Sequence, residues 1–503
     1  MRNPKSTQAD ICLVLEGTYP YVSGGVSQWA HELISDLSDH TFHLWTVVTP
    51  GIDMAPQYPL PNNVVGITPM ALMDLRPGNR PLGSAAALFG RLKTPLLRLQ
   101  TEGCLDDLKE VIEILAPHRD NLGRRVLLDS REAWDFTVEL YQSRFSGLSF
   151  LDFFWSWRSL YEGLFSVLLA DIPKAGCYHA VSTGYAGLLA SRAALETGQP
   201  ALLTEHGIYT NERRIEISIS DWVHGPSFSR LSIDKPSTDL KDFWITTFEN
   251  YSRVCYQAVD PIITLYQGNQ RFQKVDGAPP EKFRIIPNGI DYPAFAGIVR
   301  EKNAAPTIAL IGRVVPIKDV KTYIRAAALL VKSHPDLLAY VIGPKNADPG
   351  YFQECLELVA HLGLEKTILF TGRVDTKDYL GRVDVNVLTS VSEAQPLVIL
   401  EAAALGIPSV ATDVGSCSEL VLGHSAASSA LGPGGAITPL SNPQATAQAI
   451  DRLLSDGEWR ELAGRAAQER VRRYYNKADL VAQYRDIYGD ALKSGQYSLM
   501  AEV

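Results

Sequence analysis

A short apolar run, a polar loop and an amphipathic helix follow one another from residue 10, and the same order starts afresh at residue 306. In the first series DICLVL (10–15) reads as a buried strand. The loop 16–25 carries Gly24 and Gly25, a helical pattern covers 26–37, and HLWTVVTP (43–50) is the next strand. The rhythm resumes with strands at 178–183, 201–207, 261–266 and 283–289 and helices at 184–197 and 238–258. PTIALIG (306–312) opens the second series, with strands at 338–342, 367–370, 384–388, 409–411 and 434–437 separated by helical segments. Continuous apolar runs alternating with helices are the signature of parallel strands covered on both faces. The predicted fold class is therefore α/β: two Rossmann-like, doubly wound parallel-sheet domains facing across a cleft. Ligands are expected at the carboxyl ends of the strands.

Length and charge bound the rest. A chain of 503 residues holds two or more domains. The expected boundaries are 1–300, with a helical insertion at about 51–171; 301–475; and a terminal helix, 476–503, returning to the first domain. The insertion is inferred because six prolines between 56 and 81 break the pattern and the 148–171 segment is rich in aromatic residues. The charged stretch 299–305, VREKNAA, marks the linker. A net charge of −9 argues against a general nucleic-acid partner. Six scattered cysteines form neither a zinc pattern nor a disulfide framework. No signal segment and no run of 18 apolar residues is seen, so a cytoplasmic protein without direct membrane insertion is expected.

The chemistry gathers in TSVSEAQPLVILEAAALG (389–406). Pro396 suits the first turn of a helix, which places Glu393 in the loop before it and Glu401 within it. The two carboxylates lie about 12 Å apart along the axis at 1.5 Å per residue, about the span from the hexose to the ribose of a nucleotide sugar. Between them, the backbone around Gln395, Pro396 and Leu397 offers N–H groups at the positive end of a helix dipole, a place for phosphate. Taken alone, the same two glutamates fit a solvated helix face equally well. Four further features bear on the choice. Arg313 and Lys318 follow a strand end and present two cations suited to a departing diphosphate. Gly24 and Gly25 let backbone approach a phosphate or sugar at a helix start. His206 closes a strand in TEHGIYT and suits either a structural or a site role. Gly415, with Glu419, follows a second-domain strand and lines a pocket there more weakly, while PNGID (287–291) reads as a domain-closing turn. No D-x-D stands at a strand end, which disfavours metal-dependent transfer.

GRVVPIKD (312–319), SEAQPLVILEAAALGIPSVATDVG (392–415) and PNGID together resemble the donor-domain motifs of retaining GT-B glycosyltransferases of family GT4. LEGTYPYVSGGVSQWAHELI (15–34) and LLTEHGIYTNERRIEI (202–217) are similar to the cytosolic glycosyltransferases of bacterial Pel exopolysaccharide synthesis. The resemblance implies a metal-independent, retaining transfer of a hexose or N-acetylhexosamine from a UDP-sugar donor to a growing polysaccharide acceptor, with no further cofactor. It also implies recruitment by inner-membrane synthase proteins. Arg313 and Lys318 match the pyrophosphate pair, Glu393 the glutamate on the donor sugar, Glu401 the one on the ribose. His206 matches the histidine near the reacting sugar, and Gly24 and Gly25 the loop near phosphate and acceptor. Where many relatives have glycine and an apolar residue after the first glutamate, this chain has Ala394 and Gln395. Another GT4 glycan, or a binding subunit active only in a membrane complex, remains the alternative.

Overall fold

The structure, a computed structural model, describes residues 8–79, 85–219, 239–301 and 304–501. Residues 1–7, 80–84, 220–238, 302–303 and 502–503, among them Pro81 and the linker residues Lys302 and Asn303, lie outside the described residues. The chain divides into two compact units. One comprises Met1–Thr264, Gln270–Arg284 and Tyr484–Val503; the other comprises Leu265–Asn269 and Ile285–Gln483.

The first unit is built on a seven-stranded sheet: β1 (Ala9–Glu16), β2 (Phe42–Val48), β3 (Val64–Ala71), β4 (Ala175–Ala180), β5 (Ala201–Glu205), β6 (Ile262–Thr264) and β7 (Phe283–Ile285). Their spatial order is β3-β2-β1-β4-β5-β6-β7. β1 pairs in parallel with both β2 and β4, and β5 with β4 and β6. The strand order therefore reverses between β1 and β4, the point at which loops from neighbouring strands diverge and leave a crevice. Cys12, Leu13, Val14, Leu44, Trp45 and Ala180 are wholly buried, as sheet strands covered on both faces require.

β3 is a correction to the sequence reading, which left 51–150 without a strand. Its residues VVGITPMA run parallel to β2, with Pro69 opposite Thr46. Proline within a strand signals against a central position, but β3 is the edge of the sheet, where a missing N–H is tolerated. A helix at Ala85–Thr101, with Pro95 inside it, was also unread. It joins the helices Leu105–Leu115, Arg131–Leu140 and Phe150–Leu169, whose inward faces enter the same apolar core as Trp45, Val47 and Tyr178.

The second unit carries six parallel strands: β8 (Thr307–Ile311), β9 (Leu338–Ile342), β10 (Ile368–Gly372), β11 (Val385–Leu388), β12 (Ser409–Thr412) and β13 (Gly435–Thr438). They lie in the order β10-β9-β8-β11-β12-β13. The reversal falls between β8 and β11, so the loops after these two strands border the unit's crevice. Both domains are thus Rossmann-like parallel sheets. Among the described residues, no helix is long and apolar enough to cross a membrane.

Candidate active site

In the second unit three loops leave the carboxyl ends of β8, β11 and β12 and are tied to one another. Thr389, just past β11, directs its hydroxyl at the carbonyls of Lys318 (3.0 Å) and Asp319 (2.9 Å). Val391 N–H donates to the Ile317 carbonyl (2.9 Å). Thr412, ending β12, donates its hydroxyl to the Ser390 carbonyl (2.6 Å), and Ser416 N–H donates to the Ala394 carbonyl (2.9 Å). Gly415 makes the last approach possible. Its φ is +53°, and a Cβ there would overlap the carbonyl oxygens of Glu393 and Ala394. Any other residue would carry both the steric clash and the left-handed backbone cost.

Within this framework Lys318 Nζ forms an ion pair with Glu393 Oε1, and Ser390 Oγ donates to the same oxygen (2.6 Å). Side-chain exposures of 22% and 13% make the pair largely desolvated, so each charge depends on the other. Arg313 lies past β8 with an exposed side chain. Asp319 caps the helix Val320–Leu330 by accepting from Thr322 N–H (3.2 Å), which fixes the backbone next to Lys318.

The helix after β11 spans Leu397–Ala404. Pro396 is its N-cap rather than its first turn, so the free N–H groups begin one residue later than expected. Glu401 is half-buried on this helix, and Leu397 packs on a cluster that includes Ile399, Leu400 and Val471. Gln395 turns inward: it is buried, and its Oε1 accepts from Asn288 N–H (2.6 Å) in PNGID. That turn is pinned again where Ile290 N–H meets the Tyr475 carbonyl (3.0 Å), and Gly289 leaves room for Lys477 Cα, 2.8 Å from where a Cβ would stand. Glu419 accepts from the backbone N–H groups of Gln267 (3.4 Å) and Gly268 (3.2 Å).

The first unit holds the other residues. Gly24 is the N-cap of the helix Gly25–Asp36, and a Cβ on either glycine would meet open space. His206, past β5, is buried with its Nε2 unpartnered among the described residues. Its ring packs edge-on against Trp29, with centroids 4.5 Å apart. Burial lowers its pKa to about 4, so it is neutral at physiological pH. It lines a cavity of about 670 Å³ whose walls all belong to the first unit. Its lining includes Glu16 and Ser182, which follow β1 and β4 at the reversal, and one face of the helix Tyr209–Ile219.

Three further residues of this region have contacts that the sequence does not show, although Glu205 adjoins His206 in TEHGIYT. Glu16 accepts from the Tyr209 hydroxyl (2.9 Å) and Ala186 N–H (3.1 Å). Glu205, beside His206, is almost wholly buried and accepts from Tyr256 OH (2.8 Å), Gln273 Nε2 (2.9 Å) and Tyr209 N–H (3.1 Å). Burial outweighs those donors and raises its pKa to about 7. Trp29 supplies the ring against which His206 rests. The only sequence signal for the two glutamates was their place at the ends of apolar runs. Among the described residues, no group of three His, Cys, Asp or Glu side chains is placed to hold a metal ion.

Two Rossmann-like domains, with an ion-paired lysine and glutamate between the β8 and β11 loops of the second, define the class. The protein has the GT-B fold and carries a glycosyl transferases group 1 domain, which matches residues 305–456. The chain belongs to the family described as a domain of unknown function, DUF3492, which matches residues 9–281. Among curated relatives, N-acetyl-alpha-D-glucosaminyl L-malate synthase of Bacillus anthracis is 27% identical over 278 residues, covering 55% of this chain and 69% of the relative. D-inositol 3-phosphate glycosyltransferase of Kineococcus radiotolerans is 29% identical, covering 39% of this chain and 49% of that protein. The chain thus spans only about half the length of the latter. Of solved structures, Anabaena HepE in complex with UDP superposes with a TM-score of 0.58 at 14% identity, covering 96% of this chain and all of that one. Sucrose-phosphate synthase from Thermosynechococcus elongatus gives 0.57 at 15%, with the same coverage.

Proposed function

We propose that the protein is a metal-independent, retaining glycosyltransferase of the GT4 group that takes a hexose or N-acetylhexosamine from a UDP-sugar and adds it to a growing exopolysaccharide. Specifically, we propose a PelF-type enzyme of Pel synthesis, working in the cytoplasm and recruited by inner-membrane synthase proteins. The second unit is the donor side and the first the acceptor side. The observation that carries the reading is the Lys318–Glu393 pair, held between tied loops at the head of the Leu397–Ala404 helix. HepE, of like fold, was solved with UDP and with UDP-glucose, which supports UDP as the nucleotide.

In this reading Lys318 and Arg313 bind the donor diphosphate, Glu393 the sugar hydroxyls and Glu401 the ribose. The N–H groups that open the Leu397–Ala404 helix face the phosphates. Donor binding gives Lys318 a second anion, and the ion pair with Glu393 already fixes its side chain. As the bond from the sugar's anomeric carbon to the diphosphate oxygen breaks, its electron pair stays on the diphosphate, where the two cations stabilise it. The acceptor hydroxyl forms the new bond on the same face, and its proton passes to the departing diphosphate. Neutral His206 offers Nε2 as an uncharged hydrogen-bonding atom in the cavity of the first unit, on the acceptor side. Gln395 takes the Asn288 N–H on Oε1, which steadies the loop after Glu393, and keeps for the donor an Nε2 that is buried and unpartnered among the described residues.

The test is UDP release by the full chain from a panel of UDP-sugars, with and without oligosaccharide acceptor. Acceptor-stimulated release from at least one UDP-sugar supports the proposal; none from any of them refutes it.

A further inference from the structure

The cavity of the first unit has a charge that its fold does not require. Tyr209, Glu212, Arg213 and Glu216 stand at i, i+3, i+4 and i+7 on the helix Tyr209–Ile219, and all four line the cavity. Glu16 faces them from the end of β1. Among the lining residues are therefore three carboxylates and one guanidinium. That guanidinium is engaged in part: its Nη1 is 2.8 Å from Glu216 and its centre lies 5.0 Å from the centroid of the Tyr209 ring, while its buried Nε has no partner among the described residues. His206 adds no positive charge, because burial keeps it neutral. Its buried, unpartnered Nε2 is instead a neutral hydrogen-bonding atom on the cavity wall, and a buried polar atom without a partner marks a place for a ligand group. Tyr185, Trp244 and Phe248 supply aromatic walls of the kind on which a sugar ring packs.

The two named relatives act, by those names, on L-malate and on an inositol phosphate, both of them anions. A small anion entering this cavity would meet three carboxylates against one cation, whose Nη1 is paired with Glu216.

We infer that this cavity receives the acceptor as a sugar end bearing no negative charge, and that Glu16, Glu212 and Glu216 exclude anionic acceptors. The inference rests on the reading of the chain as a UDP-sugar glycosyltransferase. Glu216 has a particular part in it, because it holds the charge of Arg213 away from a ligand.

The test is calorimetric binding to the full chain of a neutral oligosaccharide and of the same oligosaccharide carrying a terminal phosphate. The wild type is expected to bind the neutral one roughly tenfold or more tightly. Glu216→Gln, which frees Arg213, should narrow that ratio about threefold, and E212Q/E216Q further, within the range of partly exposed charge pairs. Equal or tighter binding of the phosphorylated sugar by the wild type, binding of neither sugar, or a ratio that the variants leave unmoved overturns the inference. UDP release, measured separately, keeps the two readings apart. Release without acceptor discrimination removes the charge selectivity alone. Discrimination without release from any UDP-sugar removes the transferase reading.

Discussion

In the second unit the candidate side chains are held by one ion pair and by backbone bonds between loops. In the first they are held inside a buried set of uncharged donors. Lys318 and Glu393 are paired with each other in a largely desolvated contact. His206 and Glu205 stand side by side after β5, and burial drives both toward the neutral form, lowering one pKa to about 4 and raising the other to about 7. The difference fits two tasks. A diphosphate calls for fixed positive charge, whereas the proposed acceptor cavity sets neutral hydrogen-bonding atoms beside carboxylates that repel anions.

The largest effect is expected at the ion pair and its neighbouring cation. Lys318→Ala or Arg313→Ala should lower kcat for UDP-sugar turnover about 10²–10³-fold, the cost of losing a preorganised charge at a developing anion. Activity within a few-fold of wild type would remove the second unit's side of the contrast. Gly415→Ala is next: the overlap with Glu393 and Ala394 and the positive φ should destabilise the second unit by about 3 kcal/mol and lower its melting temperature. An unchanged melting temperature would show that the loops give way easily.

The first unit should respond to pH. Because Glu205 has a raised pKa, its contribution to stability is full below the ordinary carboxylate range and is lost as pH rises through about 7. Against Glu205→Gln, the wild type should lose up to about 3 kcal/mol between pH 5 and 8. The histidines act in the opposite direction. His206 and His179, lowered to about 4 and about 3, contribute stability above their ordinary pKa that is lost as pH falls through those values. Thermal melts of the two proteins across that pH range, if they ran parallel, would refute the assignment for Glu205.

The smallest effect is at Tyr488, whose hydroxyl meets His179 Nδ1 at 2.7 Å inside the first unit, while Thr204 engages Nε2 at 2.9 Å. Tyr488→Phe should cost about 1–2 kcal/mol by leaving one histidine nitrogen unpaired.

The second unit is the more legible in sequence because its candidate residues stand close to strand ends. Its site lies on short loops after regular strands, so Arg313, Lys318, Glu393, Glu401 and Gly415 could be placed relative to strand ends without knowing any long-range packing. What periodicity could not give was direction. Gln395 sits in the motif, yet it points at Asn288, because only the fold brings PNGID beneath it. The first unit depends on contacts far apart in the chain. Glu205 meets Gln273 and Tyr256, and Glu16 meets Tyr209, at separations of 51–193 residues that no local pattern encodes. β3 was missed because Pro69 argues against a strand everywhere except at an edge, and the edge position is a property of the sheet.

The proposed function divides the donor between Glu393 and Glu401, and calorimetry with UDP beside turnover of the UDP-sugar tests that division directly. Glu401→Ala should weaken UDP roughly tenfold, the loss of a hydrogen bond to a charged acceptor. Glu393→Ala should leave UDP affinity within a few-fold while turnover falls by about 10² or more. A matched loss of UDP affinity in both variants, or tight UDP binding and full turnover in both, would contradict it.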